Sequence, residues 1–239
     1  PTLDEERPPH GALDGVPLPR ETSLLAGHDA AERTLLDAYR SGRMHHGWIL
    51  VGERGIGKAT LAFRLARFMF AHPDPGSSDV AAAADLSVPH THHAAHHVAI
   101  GVHPNLLHLQ REWNPKGNKF RSEIAVETVR RINHFLGTTA GEGGWRVVIV
   151  DPADDMNRSA ANAILKNLEE PPRNTLFLLV SRSRGALLPT ILSRCRTLDM
   201  PSLSPDDLRT VIGNVAPDFA DAREGGLAAA LAAGSVRRL

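Results

Sequence analysis

Gly52, Gly57 and Lys58 fall in the order G-x-x-x-x-G-K. Glycines at this spacing let backbone N–H groups converge on phosphate oxygens, and the lysine reaches the outer phosphates from a helix N-terminus. Gly55, inside "GERGIGK", belongs to the same loop. The position after the lysine should offer a hydroxyl to magnesium, but it is Ala59. Thr60 follows, turned by about 100° on a helix. A second chemical feature is Asp151, which ends the apolar run "VVIV" as a metal-site carboxylate would. The next residue, where a glutamate would polarise water, is Pro152. With the hydroxyl and the carboxylate both missing, hydrolysis at this site is expected to be negligible. Asp154 and Asp155 lie beyond the strand end and are read as a solvated turn or as helix-start charges.

These residues need a particular scaffold. "WILV" (Trp48–Val51) reads as a short buried strand running into the glycine loop, and Leu61, Leu65, Phe68 and Met69 recur at helical spacing after it. Upstream, "DAAERTLLDAYRSGR" is an amphipathic helix with Leu35, Leu36 and Tyr39 on one side. Further on come a strand in "HPNLLHLQR", a helix in "SEIAVETVRRINHFL", the strand "RVVIVD", and the helix "NRSAANAILKNLEEPP" stopped by Pro171 and Pro172. "TLFLLVS" is another buried strand, and "LLPTILSRCRTLDM" a short helix and then an extended segment. A helix starts at Ser204 and Pro205. This alternation predicts an α/β fold, a parallel sheet flanked by helices, followed by a small helical region. Residues Ala71 to Val102 lose periodicity and are expected to be a Pro/Ala/His-rich loop.

The bulk numbers exclude some classes. Formal net charge is zero over 239 residues, so no global field recruits nucleic acid and any such contact must be a local patch. "KGNKFR" (Lys116, Lys119, Arg121) and the Arg130–Arg131 pair are the candidates, against the plain alternative of a solvated face. The single cysteine, Cys195, rules out an internal disulfide and fits a reducing compartment. There is no apolar run near the ~20 residues that span a bilayer. A cytoplasmic protein without membrane association is expected.

"HHGWILVGERGIGKATLA", "HPNLL", "VVIVDPADDMNRSAANAILKNLEEPP" and "LLPTILSRC" together resemble the bacterial clamp-loader AAA+ proteins of DNA polymerase III. The likeness runs from about Leu24 to Leu239, and the DPAD-type segment is similar to the delta-prime branch. Residues 1–20 are rich in proline and acidic residues with little to bury and are expected to be a flexible tail. The resemblance implies an AAA+ RecA-like nucleotide-binding domain over 21–203 and a small helical lid over 204–239. It also implies a collar domain that this chain lacks, so a fragment of a longer polypeptide is expected. Ser193, Arg194 and Cys195 match the SRC motif, and the resemblance implies that Arg194 is an arginine finger acting in a neighbouring subunit's ATP site. Such a finger is worth roughly 10³–10⁵ in rate. Ser181 matches the sensor 1 position and Arg237 the sensor 2 arginine. With hydrolysis disabled, both read as inherited structure.

The implied role is a subunit that helps load the sliding clamp onto primed DNA during replication without hydrolysing ATP. Its implied partners are gamma/tau and delta subunits, with the clamp and primer-template DNA reached through the complex. Weak ATP or ADP binding remains open. Relatives carry zinc-binding cysteines after the phosphate-loop helix, where this chain has His90, His92, His93, His96, His97 and His103. Structural zinc sites use spaced ligands, usually thiolates, so no zinc is expected. A hydrolysing gamma/tau-like ATPase is the competing reading, which Ala59 and Pro152 oppose. A P-loop kinase or GTPase would leave "LEEPP" and "ILSRC" unexplained.

Overall fold

The computed structural model describes residues 10–12, 16–137 and 144–215. A five-stranded parallel sheet organises them. Its strands are β1 (Gly47–Val51), β2 (Leu106–Leu109), β5 (Arg146–Val150), β6 (Thr175–Ser181) and β7 (Arg196–Asp199), in the order β2-β5-β6-β1-β7. In β1 Gly47 lies opposite Phe177 and Val51 opposite Ser181, and on its other side Trp48 lies opposite Arg196. All seven residues of β6 are buried. That is why it reads as a continuous apolar run: a parallel strand covered on both faces has no side to leave polar.

Alternate residues feed two cores. Trp48, Leu50, Val147, Ile149, Leu176 and Leu178 pack on one face, while Ile49, Val51, Val148, Val150, Phe177 and Leu179 pack on the other. Full burial of one such side chain is worth about 1.5–3 kcal/mol. Helix α1 (Asp29–Arg40) buries Leu35, Leu36 and Tyr39, with Asp29 in its first turn and Arg40 in its last to complement the helix dipole. Helix α2 (Lys58–Ala71) buries Leu61, Leu65, Phe68 and Met69. These two helices are tied by a buried ion pair, Arg64 Nη2 to Glu32 Oε1 at 2.6 Å. Helix α5 (Val126–Gly137) packs beside α6 (Arg158–Glu169). The side chain of Asn157 caps α6 by accepting from the Ala160 N–H at 2.9 Å. Helix α7 (Pro189–Leu192) precedes β7, and α8 (Pro205–Val215) is the described part of the expected lid. No described helix is long and apolar enough to cross a membrane.

Two expectations change. The stretch 71–102 is not a loop: it contains α3 (Ser78–Ala82) and α4 (His93–Ala99), and α4 packs on α2. Val80, Leu86, Ala94, Ala95 and Val98 are buried. These helices are too short to form alone, and tertiary burial makes them. Beyond β2 the chain also forms a small antiparallel hairpin, β3 (Trp113–Asn114) with β4 (Lys119–Phe120), held by Trp113 against Phe120 at 5.1 Å.

Candidate nucleotide site and arginine edge

A cavity of about 360 Å³ opens at the C-terminal ends of β1, β5 and β6. This is where the chain, having left β1, crosses to the far edge at β2, a switch point at which open parallel sheets bind ligands. Gly55, Gly57, Lys58, Ala59, Thr60, Asp151 and Ser181 all line it. Gly55 (φ +83°) and Gly57 (φ +108°) use backbone conformations that side chains resist, as a loop wrapping an anion requires. Gly52 does not face the cavity. It turns the chain off β1, its N–H donating to the Ser181 carbonyl at 3.2 Å, and a methyl there would collide with the Met200 carbonyl.

The Lys58 ammonium donates to the loop's own carbonyls, Gly52 O at 2.6 Å and Glu53 O at 2.5 Å. Burial pulls its pKa down to about 8, against the opposing pull of the Asp151 and Asp154 carboxylates. Glycine conformations, lysine and the start of α2 fit nucleotide phosphates. Ala59 leaves no hydroxyl beside them for a magnesium ion. Pro152, joined to Asp151 by a cis peptide, brings no acid or base.

Asp154 departs from expectation. Its side chain is 1% exposed rather than solvated. Its Oδ2 accepts from the Arg182 backbone N–H at 2.8 Å and from Arg182 Nε at 3.0 Å, and its Oδ1 lies 2.5 Å from Ser181 Oγ. A short 3-10 turn over Ala153–Asp155 swings the carboxylate inward. The Ser181 hydroxyl has one proton, and the charged oxygen is the stronger acceptor for it, although the Ser183 carbonyl is also within 2.8 Å. That proton is then committed inside the protein rather than to a γ-phosphate. Asp155 also differs from a solvated charge, since it lines the cavity and pairs with Arg111 Nε at 3.1 Å.

Sequence reasoning missed His28. Only 2% exposed, it sits behind the loop with Nε2 2.6 Å from the Ile56 carbonyl. Desolvation lowers its pKa, so the neutral ring donates from Nε2, while Nδ1 finds no partner among the described residues. The motif "AGHD" just before α1 was its only signal. Residues 16–20, the end of the expected tail, and Leu24 to Ala26 run along the same cavity.

Arg194 is elsewhere. A methyl at Gly47 would meet Cys195 Sγ at 2.8 Å, so the SRC segment sits at the start of β1. The loop leaves the end of that strand, ~16 Å away at extended-chain rise. Arg194 Nη2 contacts Glu169 Oε1 at 2.6 Å, and Nη1 donates to the Thr190 carbonyl at 2.8 Å. Burial pushes the Cys195 thiol up to about 12, which makes it a packing residue. Arg237 lies outside the described residues, as does the lid beyond 215.

The other candidate groups are dispersed. Lys116, Lys119 and Arg121 sit exposed on and beside the hairpin, Arg130 is exposed on α5, and Arg131 pairs with Glu112 at 3.6 Å. Among the histidines, His92 caps α4, His93 and His97 lie 3.9 Å apart, and His103 stacks on Phe70 at 3.9 Å. Among the described residues no three His, Cys, Asp or Glu side chains converge as a metal site.

Comparisons with known proteins bear on the family and the fold. The family model described as DNA polymerase III, delta subunit, matches residues 27–204. The DNA polymerase III subunit delta' of Pseudomonas aeruginosa is 38% identical over 152 residues, covering 63% of this chain and 41% of that protein. The subunit of the same name from Escherichia coli K12 is 32% identical over 162 residues, 68% of this chain and 44% of that protein. The chain thus spans less than half the length of these curated relatives. Among solved structures, Thermotoga maritima RuvB, a Holliday junction branch migration motor, superposes with a TM-score of 0.53 at 16% identity, over 92% of this chain and 63% of that one. That likeness bears on the fold, a parallel sheet with flanking helices. The chain belongs to the DNA polymerase III delta-subunit family, with delta' subunits among its curated relatives.

Proposed function

We propose that this chain is the ring-positioning part of a clamp-loader subunit, one that does not turn over ATP but lends Arg194 to the ATP site of an adjoining subunit. The observation that carries the reading is the separation of its two ends. Its own phosphate loop opens at the C-terminal edge of the sheet with Ala59, Pro152 and a Ser181 hydroxyl directed to Asp154. Arg194 lies at the other edge, too far to serve that loop. This separation supports a role for Arg194 toward a phosphate on another molecule.

In this reading the backbone of 52–57 and Lys58 hold a nucleotide's phosphates, if one binds, without magnesium chemistry. Gamma/tau-type and delta-type subunits are the neighbours, in the cytoplasm, and the clamp and primed DNA are reached through the assembly. Asp155 favours the competing ATPase reading, because it lines the cavity beside Asp151 and could stand in for the missing base. Its pairing with Arg111 argues against a free base.

The test is fluorescent-nucleotide binding and phosphate release by the purified chain, with and without magnesium. No turnover is expected, and any binding should be insensitive to magnesium. Magnesium-dependent turnover abolished by Lys58→Ala would overturn the proposal.

A further inference from the structure

We infer that Glu169 is a positioning residue for Arg194: its carboxylate holds the guanidinium in place so that its Nε and Nη2 donors are available to a phosphate. This rests on the function proposed above. The first observation is a local conflict. Glu169 is the last residue of α6, where the helix dipole disfavours a carboxylate, and Glu170 and two prolines follow. The apposed cation offsets that conflict: Arg194 Nη2 lies 2.6 Å from Glu169 Oε1.

The second observation is a count of donors. A guanidinium has five N–H groups. Nη1 donates to the Thr190 carbonyl (2.8 Å) and Ser193 Oγ (3.2 Å), while Nη2 is in ion-pair contact with Glu169 Oε1 at 2.6 Å. Nε–H and the Nη2 hydrogens make no hydrogen bond among the described residues. Both the carbonyl and the hydroxyl come from the turn that carries Arg194, so they move with it. Glu169 alone anchors the group to a different element, α6. That element is fixed to the sheet, with Leu168, its neighbour, buried against Cys195 and Gly47.

The third observation is exposure. The side chains are 33% and 48% exposed. Exposed pairs of this kind add little to stability, so holding the pair does little for the fold itself. What it restricts is the rotamer freedom of a long side chain, which is what a finger must lose before it can stabilise a transferring phosphoryl group. A guanidinium already ordered on its own subunit loses less on docking.

The experiment uses the full-length subunit reconstituted with the gamma/tau-type ATPase subunits, clamp and primed DNA, reading single-turnover phosphate release at the adjoining site. Arg194→Ala is expected to lower the rate about 10³-fold. Glu169→Gln, isosteric but uncharged, is expected to lower kcat about 10-fold with KM for ATP unchanged, the size of a misplacement below 1 Å. Glu169→Asp, keeping the charge on a shorter arm, recovers part of the loss. In an Arg194→Ala background, Glu169→Gln adds nothing further. A wild-type rate for Glu169→Gln beside a collapsed Arg194→Ala overturns the inference and leaves the proposed function standing. So does a Glu169→Gln loss that persists without Arg194, because it would then act on α6 itself. A wild-type rate for Arg194→Ala overturns the proposed function and this inference together.

Discussion

The two ends of β1 both demand glycine, and for opposite reasons. At Gly52 the obstacle to a side chain is backbone, the Met200 carbonyl, in a turn that must approach closely for the phosphate loop to leave the sheet. At Gly47 the obstacle is a side chain, Cys195 Sγ at 2.8 Å, in a packing contact that seats the arginine segment. The polar chemistry diverges in the same way. Around the cavity, donors and acceptors turn inward: Lys58 to loop carbonyls, Ser181 to Asp154, Asp155 to Arg111. At the other edge the Arg194 side chain stays 33% exposed, and its Nε and Nη2 make no hydrogen bond among the described residues. One end has its polar groups satisfied internally, while the other leaves a guanidinium partly exposed beside a carboxylate.

Alanine substitutions at the two glycines break this comparison most sharply. Gly52→Ala forces the loop or the β7 end to shift and is expected to cost about 3 kcal/mol, the upper range for overpacking. Gly47→Ala is expected to cost about 1–2 kcal/mol, since Cys195 can rotate away. Removing the obstacle tests the assignment: Cys195→Ala should rescue Gly47→Ala in a double-mutant cycle and leave Gly52→Ala unimproved. Urea unfolding midpoints of the three single and two double variants read this directly. Equal costs at both glycines would remove the distinction.

Asp154→Ala comes next in size. The carboxylate is 1% exposed and collects two N–H donors and a hydroxyl. Its loss leaves the Arg182 N–H short of a partner and the Ser181 hydroxyl with the Ser183 carbonyl as its acceptor, at about 2–3 kcal/mol. Because a neutral carbonyl competes less well than a carboxylate for the Ser181 proton, nucleotide affinity should rise or stay level while stability falls. If nucleotide affinity falls with stability, Ser181 was not held away from the phosphate.

The strands and long helices were legible because a parallel sheet writes itself as apolar runs, and Leu35, Leu36 and Tyr39 or Leu61, Leu65, Phe68 and Met69 keep helical spacing. The phosphate-loop residues were legible for the same local reason: "GERGIGK" and its flanks are contiguous. The helices of 71–102 were not, because α4 buries only Ala94, Ala95 and Val98, small residues that carry little signal until α2 is beside them. Asp154 was misread because its partners, Ser181 and Arg182, lie 27 and 28 residues away, and a carboxylate after proline looks solvated in isolation. Glu169 was visible in "LEEPP" as a letter and not as a partner, since its contact with Arg194 crosses from α6 to α7.

Acid should weaken the cavity end by a smaller, graded amount. His108 lines the cavity, and burial chiefly, with Arg20 and His10, lowers its pKa to about 4; His28 behind the loop is also lowered by burial. A histidine whose folded pKa is depressed takes up its proton first in the unfolded chain. Its stabilising effect is therefore complete above the ordinary value of 6.5 and is lost as pH falls toward 4. His103, lowered to about 4 by burial and by His97 and His93, adds a second such group on the Phe70 face. Between pH 7 and 5.5 each of His103 and His108 is expected to remove about 1 kcal/mol. His46, just before Gly47, is lowered as well, by burial and by His45, so the arginine edge contributes a share. His108→Gln separates the ends: it should flatten the pH dependence of the urea midpoint by close to one proton and leave the remainder in place. An unchanged slope would mean that the cavity is wet enough at His108 to protonate it in the folded state, and the contrast between a sealed end and an open one would lose its electrostatic half.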